Sequence, residues 1–435
     1  MIVTTFEADG FRNLSDVVLR PHPSLNFVVG ANGAGKSSLL EALQCLATGA
    51  GFRSRRYRDH LAHGADEYVL RAELLDVGRD VAHRCGVRRG RDGSLDARLD
   101  FEPVGSFVEI ARVLPVKVLT PDSHLLVQGA PDERRRFLDW GCFHAGEAFL
   151  PAWRRYRRAL SQRNELLRDG APGREIGAWD ESLVRDGERL HGLRSAYASE
   201  LARCVKKRAQ HVDFPFHVEL DLRSGWAKDD SLERALLRNI ETHRRMRTTT
   251  DGPHRAELVI RVDGHPARDV LSRGQQKLLV YLMHLAQLDV LDGPGVPEDG
   301  GGADDGVDAT DPSPTDVGPR RRRDLRGTRP VVLCDDLGSE LDGRAGGTLL
   351  DALVGTGSQV FVSGVTLPAG LPGRAVDEAG AGGARGGPGS GRDGGGKGAP
   401  ALAAAPSGTT LDGTENSDPP RSFAVFTLVA GRLRT

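Results

Sequence analysis

The most constraining feature of this chain is a glycine-rich stretch at residues 28–40, Val-Val-Gly-Ala-Asn-Gly-Ala-Gly-Lys-Ser-Ser-Leu-Leu. Four of its residues match G-x-x-x-x-G-K-[ST], the loop that binds the phosphates of nucleoside triphosphates: Gly30, Gly35, Lys36 and Ser37. The apolar run before the loop predicts a β-strand, and the pattern after it predicts a helix that begins at Lys36. Because glycine amides and a helix start attract anions, this setting predicts a nucleotide site.

The residue types of the loop predict separate roles in binding ATP and Mg²⁺. Lys36 is expected to reach the β- and γ-phosphates, and the Ser37 hydroxyl to bind Mg²⁺. A glycine-rich turn that matches by accident is the alternative, and the strand–loop–helix context disfavours it. The predicted nucleotide-binding residues of the loop are Gly30, Ala31, Asn32, Gly33, Ala34, Gly35, Lys36 and Ser37.

The composition indicates a globular protein of two or three domains, with 435 residues of which 39% are hydrophobic. No apolar run approaches the length of a membrane span, and the start of the chain lacks a signal-peptide pattern. The five cysteines are scattered without a C-x-x-C pair, so we expect reduced thiols and neither a zinc site nor disulfides. These features predict a cytoplasmic protein with no membrane partner.

The formal net charge of −1 conceals an uneven distribution. Residues 1–290 carry 45 Lys and Arg against 40 Asp and Glu, whereas the remainder carries 14 against 20. The body of the protein is therefore mildly basic. Charge alone neither supports nor excludes a nucleic-acid partner.

Gly293 to about Arg329 has almost no apolar residues, and about Pro368 to Arg421 is Gly/Ala-rich low-complexity sequence. Both stretches are predicted to be disordered insertions. The first contains Arg320–Arg323, which is either a phosphate contact or a solvated linker. The rest of the chain predicts an α/β nucleotide-binding body with an inserted helical lobe. The predicted segments are 1–130 (body with the phosphate loop), 131–210 (helical lobe), 211–292 (return to the body), 293–329 (insertion), 330–367 (body), 368–421 (insertion) and 422–435 (last strand).

Hydrophobic periodicity gives the elements of these segments. Helices are predicted from Pro131 to about Ala209, with a break at Gly170–Gly173. Strands are predicted at about Val3–Glu7, Val17–Leu19, Leu25–Val29, Tyr68–Leu75, Val81–Arg88, Ala97–Phe101, Val116–Leu119, Pro330–Asp336, Gln359–Val362 and Ser422–Leu428.

A second candidate site element is the acidic pair Asp335-Asp336, at the end of an apolar run that predicts a buried strand. Proteins with a phosphate loop need a metal-binding carboxylate at this place. Asp335 is therefore predicted to bind Mg²⁺, directly or through water, and Asp336 to orient or deprotonate the attacking water. A strand ending in acids before a turn is common in isolation, and the upstream loop favours the catalytic interpretation.

A third element is the stretch Leu271-Ser272-Arg273-Gly274-Gln275-Gln276-Lys277, which precedes a helical pattern. Ser272 suits a helix N-cap, and a polar helix start can bind an anion. The stretch resembles the L-S-G-G-Q signature of ABC-type ATPases, with Arg273 in place of the first glycine, although a plain capped helix explains it equally well. In that class the signature of one subunit closes on the nucleotide of the other, which implies nucleotide contacts for Ser272, Gly274 and Gln275.

Further along, Ser339–Asp342 resembles the D-loop of the same class, a segment that crosses the dimer interface. The chain departs from ABC transporters in three respects. Ser363–Thr366 offers no histidine that senses the γ-phosphate, no glutamine is identified as the Q-loop, and Asp336 replaces the usual glutamate. Because the aspartate side chain is one methylene shorter, it should reach the water less well, which favours slow turnover and a timer role for ATP.

Motifs outside the nucleotide site make the resemblance more specific. Together with those already described, the motifs are Phe11–Leu14, Gly129–Pro131, Arg134–Asp139, Tyr156 with Leu160, Gln162–Asn164, Leu166-Leu167, Trp179-Asp180 with Leu183, Gly252–Arg255, Ser272–Lys277, Asp335-Asp336 and Ser339–Asp342. On these motifs the chain resembles the RecF family, bacterial recombination mediators related to the SMC-type ATPases, over residues 1–366 and the last strand, apart from the insertions. This resemblance implies an α/β fold, an ABC/SMC-type P-loop ATPase head with an inserted helical lobe.

The resemblance also implies a function. Proteins of this family bind single-stranded DNA and duplex DNA at gaps, dimerise when ATP is bound, and hydrolyse ATP slowly as a switch. With RecR and RecO partners they assist RecA loading and take part in the SOS response. The arginines just after the loop helix are candidate DNA contacts, although a solvated arginine-rich segment would have the same pattern. These candidates are Arg53, Arg55, Arg56 and Arg58.

Two other classes remain open at this point. One is the ATPase subunit of another assembly such as a transporter, against which the missing sensor histidine and the RecF-type lobe argue. The other is a small-molecule kinase that uses the same loop. A kinase needs neither the signature stretch nor a D-loop.

Overall fold

The computed structural model describes residues 1–212, 214–293, 329–336, 343–367 and 423–434. Nearly all of the two predicted insertions, and the whole predicted D-loop, lie outside these residues. In the described part of the chain, no helix combines the length and the apolar character needed to cross a membrane.

The described strands are β1 (Ile2–Asp9), β2 (Val17–Leu19), β3 (Leu25–Val29), β4 (Glu67–Asp76), β5 (Val81–Gly90), β6 (Leu95–Leu99), β7 (Glu102–Pro103), β8 (Val116–Leu119), β9 (Val218–Arg223), β10 (Glu257–Val262), β11 (His265–Pro266), β12 (Val331–Cys334), β13 (Val360–Gly364), β14 (Phe423–Val429) and β15 (Arg432–Arg434). The α-helices are α1 (Lys36–Thr48), α2 (Phe107–Val113), α3 (Leu125–Gln128), α4 (Pro131–Ala145), α5 (Phe149–Arg168), α6 (Gly173–Gly177), α7 (Asp180–His211), α8 (Leu232–Arg238), α9 (Ile240–Met246), α10 (Ala267–Val270), α11 (Arg273–Asp292) and α12 (Gly343–Gly355).

A mainly parallel sheet with the order β15-β14-β3-β13-β12-β8 forms the centre of the nucleotide-binding body. Strands β14, β3, β13, β12 and β8 run parallel, and only β15 is antiparallel to its neighbour. All four residues of β12 are buried, because helices cover both faces of the sheet. Since the carboxyl ends of parallel strands meet at one edge, the segments after β3, β12 and β13 are brought together there.

Helix α1 packs on one face of this sheet, where its Leu39 shares a core with Val331 of β12 and Phe361 of β13. Helices α11 and α12 pack on the other face, where Tyr281 and Leu349 belong to a separate core. The two cores alternate along β12 because successive side chains of a strand point to opposite faces. A second, antiparallel sheet with the order β2-β1-β4-β5-β6-β7 covers the outer side of α1.

The helices from α4 to α7 form one lobe with the small sheet β11-β10-β9. Buried side chains of α5, among them Tyr156 and Leu160, recur on one face of the helix and pack against α7. Helix α5 ends at Arg168, and the predicted break at Gly170–Gly173 separates it from α6 and from the 32-residue α7.

The predicted α/β class is confirmed, and each of the ten predicted strands matches a described strand to within two residues at either end. The predicted strand Ala97–Phe101 is wrong at its end, because Asp100 and Phe101 have φ angles of 53° and 71° and form a turn before β7. The sequence interpretation did not identify the sheet β11-β10-β9. Its strand β9 has only one fully buried residue, so its apolar signal is weak.

Candidate functional site

The predicted phosphate loop lies between the end of β3 and the start of α1, as the sequence indicates. Its tip is exposed at Ala31, Asn32 and Gly33, whereas Ala34 and Gly35 are buried. Gly35 occupies the N-cap position of α1 with a φ of 106°, a conformation that residues with a Cβ rarely adopt. The loop therefore presents backbone amides to solvent next to the positive end of a helix dipole.

Lys36 arches back over the loop. Its Nζ donates hydrogen bonds of 2.8 Å to the Gly30 carbonyl and 3.0 Å to the Ala31 carbonyl. The ammonium group therefore lies at the loop itself, where it can exchange these carbonyls for phosphate oxygens.

Ser37 and Asp335 meet although 298 positions separate them in the chain. Ser37 Oγ donates a hydrogen bond of 2.8 Å to Asp335 Oδ1, and the Asp335 backbone N–H donates 2.8 Å to the Leu119 carbonyl of β8. Asp336, the next residue, has a φ of 52° and is half-buried. The structure therefore brings together the loop, the predicted metal carboxylate and the predicted catalytic aspartate.

Two further residues belong to this site, and the sequence interpretation gave neither a role. Ser363, at the end of β13, donates 2.7 Å to Asp335 Oδ1 and accepts 2.9 Å from the Asp336 N–H. Asn13 Nδ2 donates 3.0 Å to the Gly33 carbonyl at the tip of the loop. The only sequence signals were that Asn13 lies in a family motif and that Ser363 directly follows the predicted strand Gln359–Val362.

The predicted signature stretch starts α11. Ser272 is the N-cap, and its side chain and that of Gln275 form a reciprocal capping box. Ser272 and Gly274 are exposed. Within the described residues, no hydrogen bond links Ser272, Gly274 or Gln275 to the phosphate loop of the same chain. Ser272 and Gly274 therefore face solvent, and they do not form part of the site at Lys36 and Asp335 in the same chain.

The predicted DNA-contact arginines follow α1 in a segment that is tied to that helix by Glu41. This buried carboxylate accepts the backbone N–H groups of Arg53 and Ser54 at 3.0 and 3.3 Å. It also forms an ion pair with Arg12, with 2.5 Å between Nε and Oε2 and a hydrogen bond of 2.9 Å from Nη2 to Oε1. All four predicted arginine side chains are exposed: Arg53, Arg55, Arg56 and Arg58.

A cleft of about 760 Å³ opens beside Asp335, between β8 and the lobe helix α4. Lys117 lies in its wall, where burial lowers the pKa of the ammonium well below its usual value. Its Nζ donates to Gln287 and lies 4.0 Å from the ring centroid of Trp140. Lys117 thus connects β8 to α4 and to α11, the helix that carries the predicted signature stretch.

Comparison with known proteins agrees with this arrangement. Residues 2–298 match the RecF/RecN/SMC N terminal domain family. The chain is 39% identical to the DNA replication and repair protein RecF of Thioalkalivibrio sulfidiphilus over 84% of this chain and 92% of that protein. It is 34% identical to the RecF of Edwardsiella ictaluri, over 87% of this chain and 97% of that protein.

Two solved structures support the fold. One, of the recombination mediator protein RecF with ATPrS, gives a TM-score of 0.72 at 18% identity and covers 99% of this chain and 97% of its own. Another, of RecF with ATP, gives 0.71 at 22% identity over 84% and 92%. The ABC/SMC-type architecture predicted from the sequence is thereby confirmed, and the chain belongs to the RecF family of DNA replication and repair proteins.

Proposed function

We propose that this protein is an ATP-dependent DNA-binding switch of recombinational repair and replication that hydrolyses ATP slowly. The observation that carries the proposal is the 2.8 Å contact between Ser37 Oγ and Asp335 Oδ1, which joins a phosphate loop to a carboxylate. ATP as the nucleotide is supported by the solved RecF proteins, which contain ATP or ATPrS.

The residues at the site fit ATP and Mg²⁺. Lys36 and the amides of the loop would hold the phosphates. Ser37 and Asp335 would bind Mg²⁺ through oxygen, the ligand type that this cation prefers. Among the described residues no group of three His, Cys, Asp or Glu could hold a metal. Phosphate and water oxygens would therefore complete the coordination, as is usual for Mg²⁺.

Bound Mg²⁺ would supply positive charge against the phosphates. Asp336 would orient the attacking water and accept its proton, with Ser363 holding its backbone. The short reach of an aspartate supports slow turnover, which suits a switch.

Ser272, Gly274 and Gln275 would contact the nucleotide of a second copy of this chain. Two features support this action in trans: Ser272 and Gly274 are exposed, and the side chains of Ser272 and Gln275 each bond to the backbone N–H of the other. ATP would then act as the link that holds two copies together.

Arg53, Arg55, Arg56 and Arg58 would neutralise DNA phosphates without reading bases. The anchoring of this segment by Glu41 of α1 supports a coupling of DNA contact to the nucleotide state. The DNA would be single-stranded DNA and duplex DNA at gaps. The protein would act with RecR and RecO partners, assist RecA loading and take part in the SOS response. Family membership supports each of these points.

The segment division given above is also part of the proposal, with 131–210 as the lobe and the flanking segments as the head. We place the protein in the cytoplasm, which its five buried free cysteines support: Cys45, Cys85, Cys142, Cys204 and Cys334.

The test is to measure the ATPase rate and the molar mass in solution, with and without gapped duplex DNA. We expect ATP with Mg²⁺ to produce dimers and DNA to raise the rate. Lys36→Ala should abolish both effects, because it removes the charge that holds the phosphates. A wild-type protein that stays monomeric with ATP, Mg²⁺ and DNA would contradict the proposal.

A further inference from the structure

The last two strands form a hairpin that contacts the phosphate loop. Strand β14 pairs in parallel with β3, with Phe423 opposite Leu25 and Thr427 opposite Val29. Strand β14 runs two residues beyond this last pair, to Val429, and leads into the turn at Ala430-Gly431, whereas β3 leads into the phosphate loop. Its pairing with β3 places the hairpin beside the strand that leads into the phosphate loop.

The turn of the hairpin is bonded to the loop on one side and to the turn after β1 on the other. The Gly431 N–H donates 2.9 Å to the Ala34 carbonyl, and the Ser15 N–H donates 3.3 Å to the Gly431 carbonyl. A Cβ on Gly431 would overlap the backbone of Asn13. A Cβ on Gly30 would lie 2.5 Å from the Leu428 carbonyl oxygen. The hairpin backbone therefore contacts the phosphate loop at Gly30 and Ala34 and the turn after β1 at Asn13 and Ser15.

These contacts explain how the loop can present amides to an anion. For the N–H groups to converge on a phosphate, the carbonyls of the same loop must point elsewhere. Asn13 holds the Gly33 carbonyl, and Gly431 holds the Ala34 carbonyl. Lys36 donates to the carbonyls of Gly30 and Ala31, and its ammonium group is expected to move to the nucleotide phosphates when ATP binds. Asn13 and Gly431 thus remain as the fixed donors on the rear of the loop.

We propose that the hairpin turn Ala430-Gly431, together with Asn13, is a positioning element that holds the phosphate loop in its anion-binding conformation. This inference rests on the proposed function, because it assumes that the loop binds ATP. Since coupling between two equilibria is reciprocal, ATP binding must in turn stabilise the docked hairpin. The hairpin should then be more stably docked when the site contains ATP than when it is empty.

The chain contains a matched control for this turn. Asp263-Gly264, between β10 and β11, has φ angles of 50° and 79°, against 48° and 81° for Ala430-Gly431. A Cβ on Gly264 would meet no atom within 4 Å. Gly264→Ala therefore introduces the same left-handed backbone strain as Gly431→Ala but displaces nothing.

The first measurement is the affinity for ATP with Mg²⁺ of the wild type, Gly431→Ala and Gly264→Ala. We expect Gly431→Ala to weaken binding roughly tenfold or more, as the loss of a well-placed hydrogen bond and its alignment would do. Gly264→Ala should bind like the wild type. Equal affinities for all three proteins would overturn the inference and leave the proposed function standing, whereas a wild type that binds no ATP overturns both.

The second measurement needs no variant of the hairpin and so remains informative if Gly431→Ala fails to fold. Hydrogen exchange of residues 423–434 is followed in the wild type with and without ATP. ATP should slow exchange there, including at the Gly431 amide, and Lys36→Ala should remove the effect. Exchange in the hairpin that is unchanged while the wild type binds ATP would overturn the inference.

Discussion

Ser363 Oγ donates a hydrogen bond of 2.7 Å to Asp335 Oδ1, across the neighbouring parallel strands β13 and β12. The same hydroxyl oxygen accepts the backbone N–H of Asp336 at 2.9 Å. One serine therefore fixes the side chain of the predicted metal ligand and the backbone of the predicted catalytic aspartate.

Ser363→Ala should lower the rate of ATP hydrolysis roughly 10–100-fold, as the loss of a residue that orients a metal ligand commonly does. ATP affinity should change much less, because Lys36 and the loop amides are untouched. Single-turnover hydrolysis and nucleotide binding measure the two effects separately. Ser363→Thr retains the hydroxyl and serves as the control, and a Ser363→Ala protein with normal hydrolysis would show that this serine does not position the aspartates.

Ser272→Arg should leave ATP binding intact and prevent ATP-driven dimerisation, because the segment is expected to act on the nucleotide of the partner. Light scattering with ATP gives the mass, and nucleotide binding gives the affinity. Ser231→Arg is the matched control, since Ser231 caps the short helix α8 by the same side-chain bond, to the Arg234 N–H. If Ser272→Arg forms dimers at the same ATP concentration as the wild type, the result would count against action in trans.

Glu41→Ala should destabilise the protein by about 3 kcal/mol, because it leaves Arg12 without its carboxylate and two backbone N–H groups without an acceptor. Urea unfolding measures the change. Glu7→Ala is the control: Glu7 pairs with Arg71 on an exposed sheet face, where loss of an ion pair costs less than about 1 kcal/mol. Equal losses for the two variants would mean that Glu41 does not anchor the segment after α1.

Stability should fall as the pH is lowered from 7, in part because of His144. Burial, with Lys117 and Arg112 nearby, lowers the pKa of this histidine from 6.5 to about 3. Between these two pH values the unfolded chain binds a proton that the folded protein does not, so acid favours unfolding, and the loss is complete below the folded pKa.

His144→Gln should reduce the slope of unfolding free energy against pH by up to about 1.4 kcal/mol per unit in this range. Denaturant unfolding at several pH values gives the slope. His217→Gln, at an exposed histidine, is the control. A slope that does not change on replacing His144 would rule out its part in acid destabilisation.

The phosphate loop could be predicted because its functional residues are consecutive and its spacing is dictated by phosphate geometry. Asp335 could be predicted because a buried strand ending in acids has a defined place in such proteins. Ser363 and Asn13 could not, because their roles depend on which strands are neighbours in the sheet and on the fold of a turn. Apart from the family motif that contains Asn13, nothing local in the sequence marks either residue as different from other polar residues in a turn or near a strand end.

The segment with Arg53, Arg55, Arg56 and Arg58 also could be predicted only in part from the sequence. Its charge is visible in the sequence, and its exposure is consistent with the predicted pattern. The attachment of its backbone to Glu41 depends on a buried carboxylate of α1, and one turn of helix pattern gives no sign of that bond. Hence the chemistry of the site could be inferred from local spacing, whereas the connections between its parts required the fold.

The place of β3 between β13 and β14 has a consequence for synthesis of the protein on the ribosome. The chain makes its phosphate loop early, yet both neighbours of the strand that leads into it are translated much later. A nascent chain that has not been extended past Leu428 contains the loop sequence but lacks a complete strand β14, one of the two neighbours of β3. Translation products that stop before this point therefore lack a strand that the intact protein pairs with β3 beside the phosphate loop.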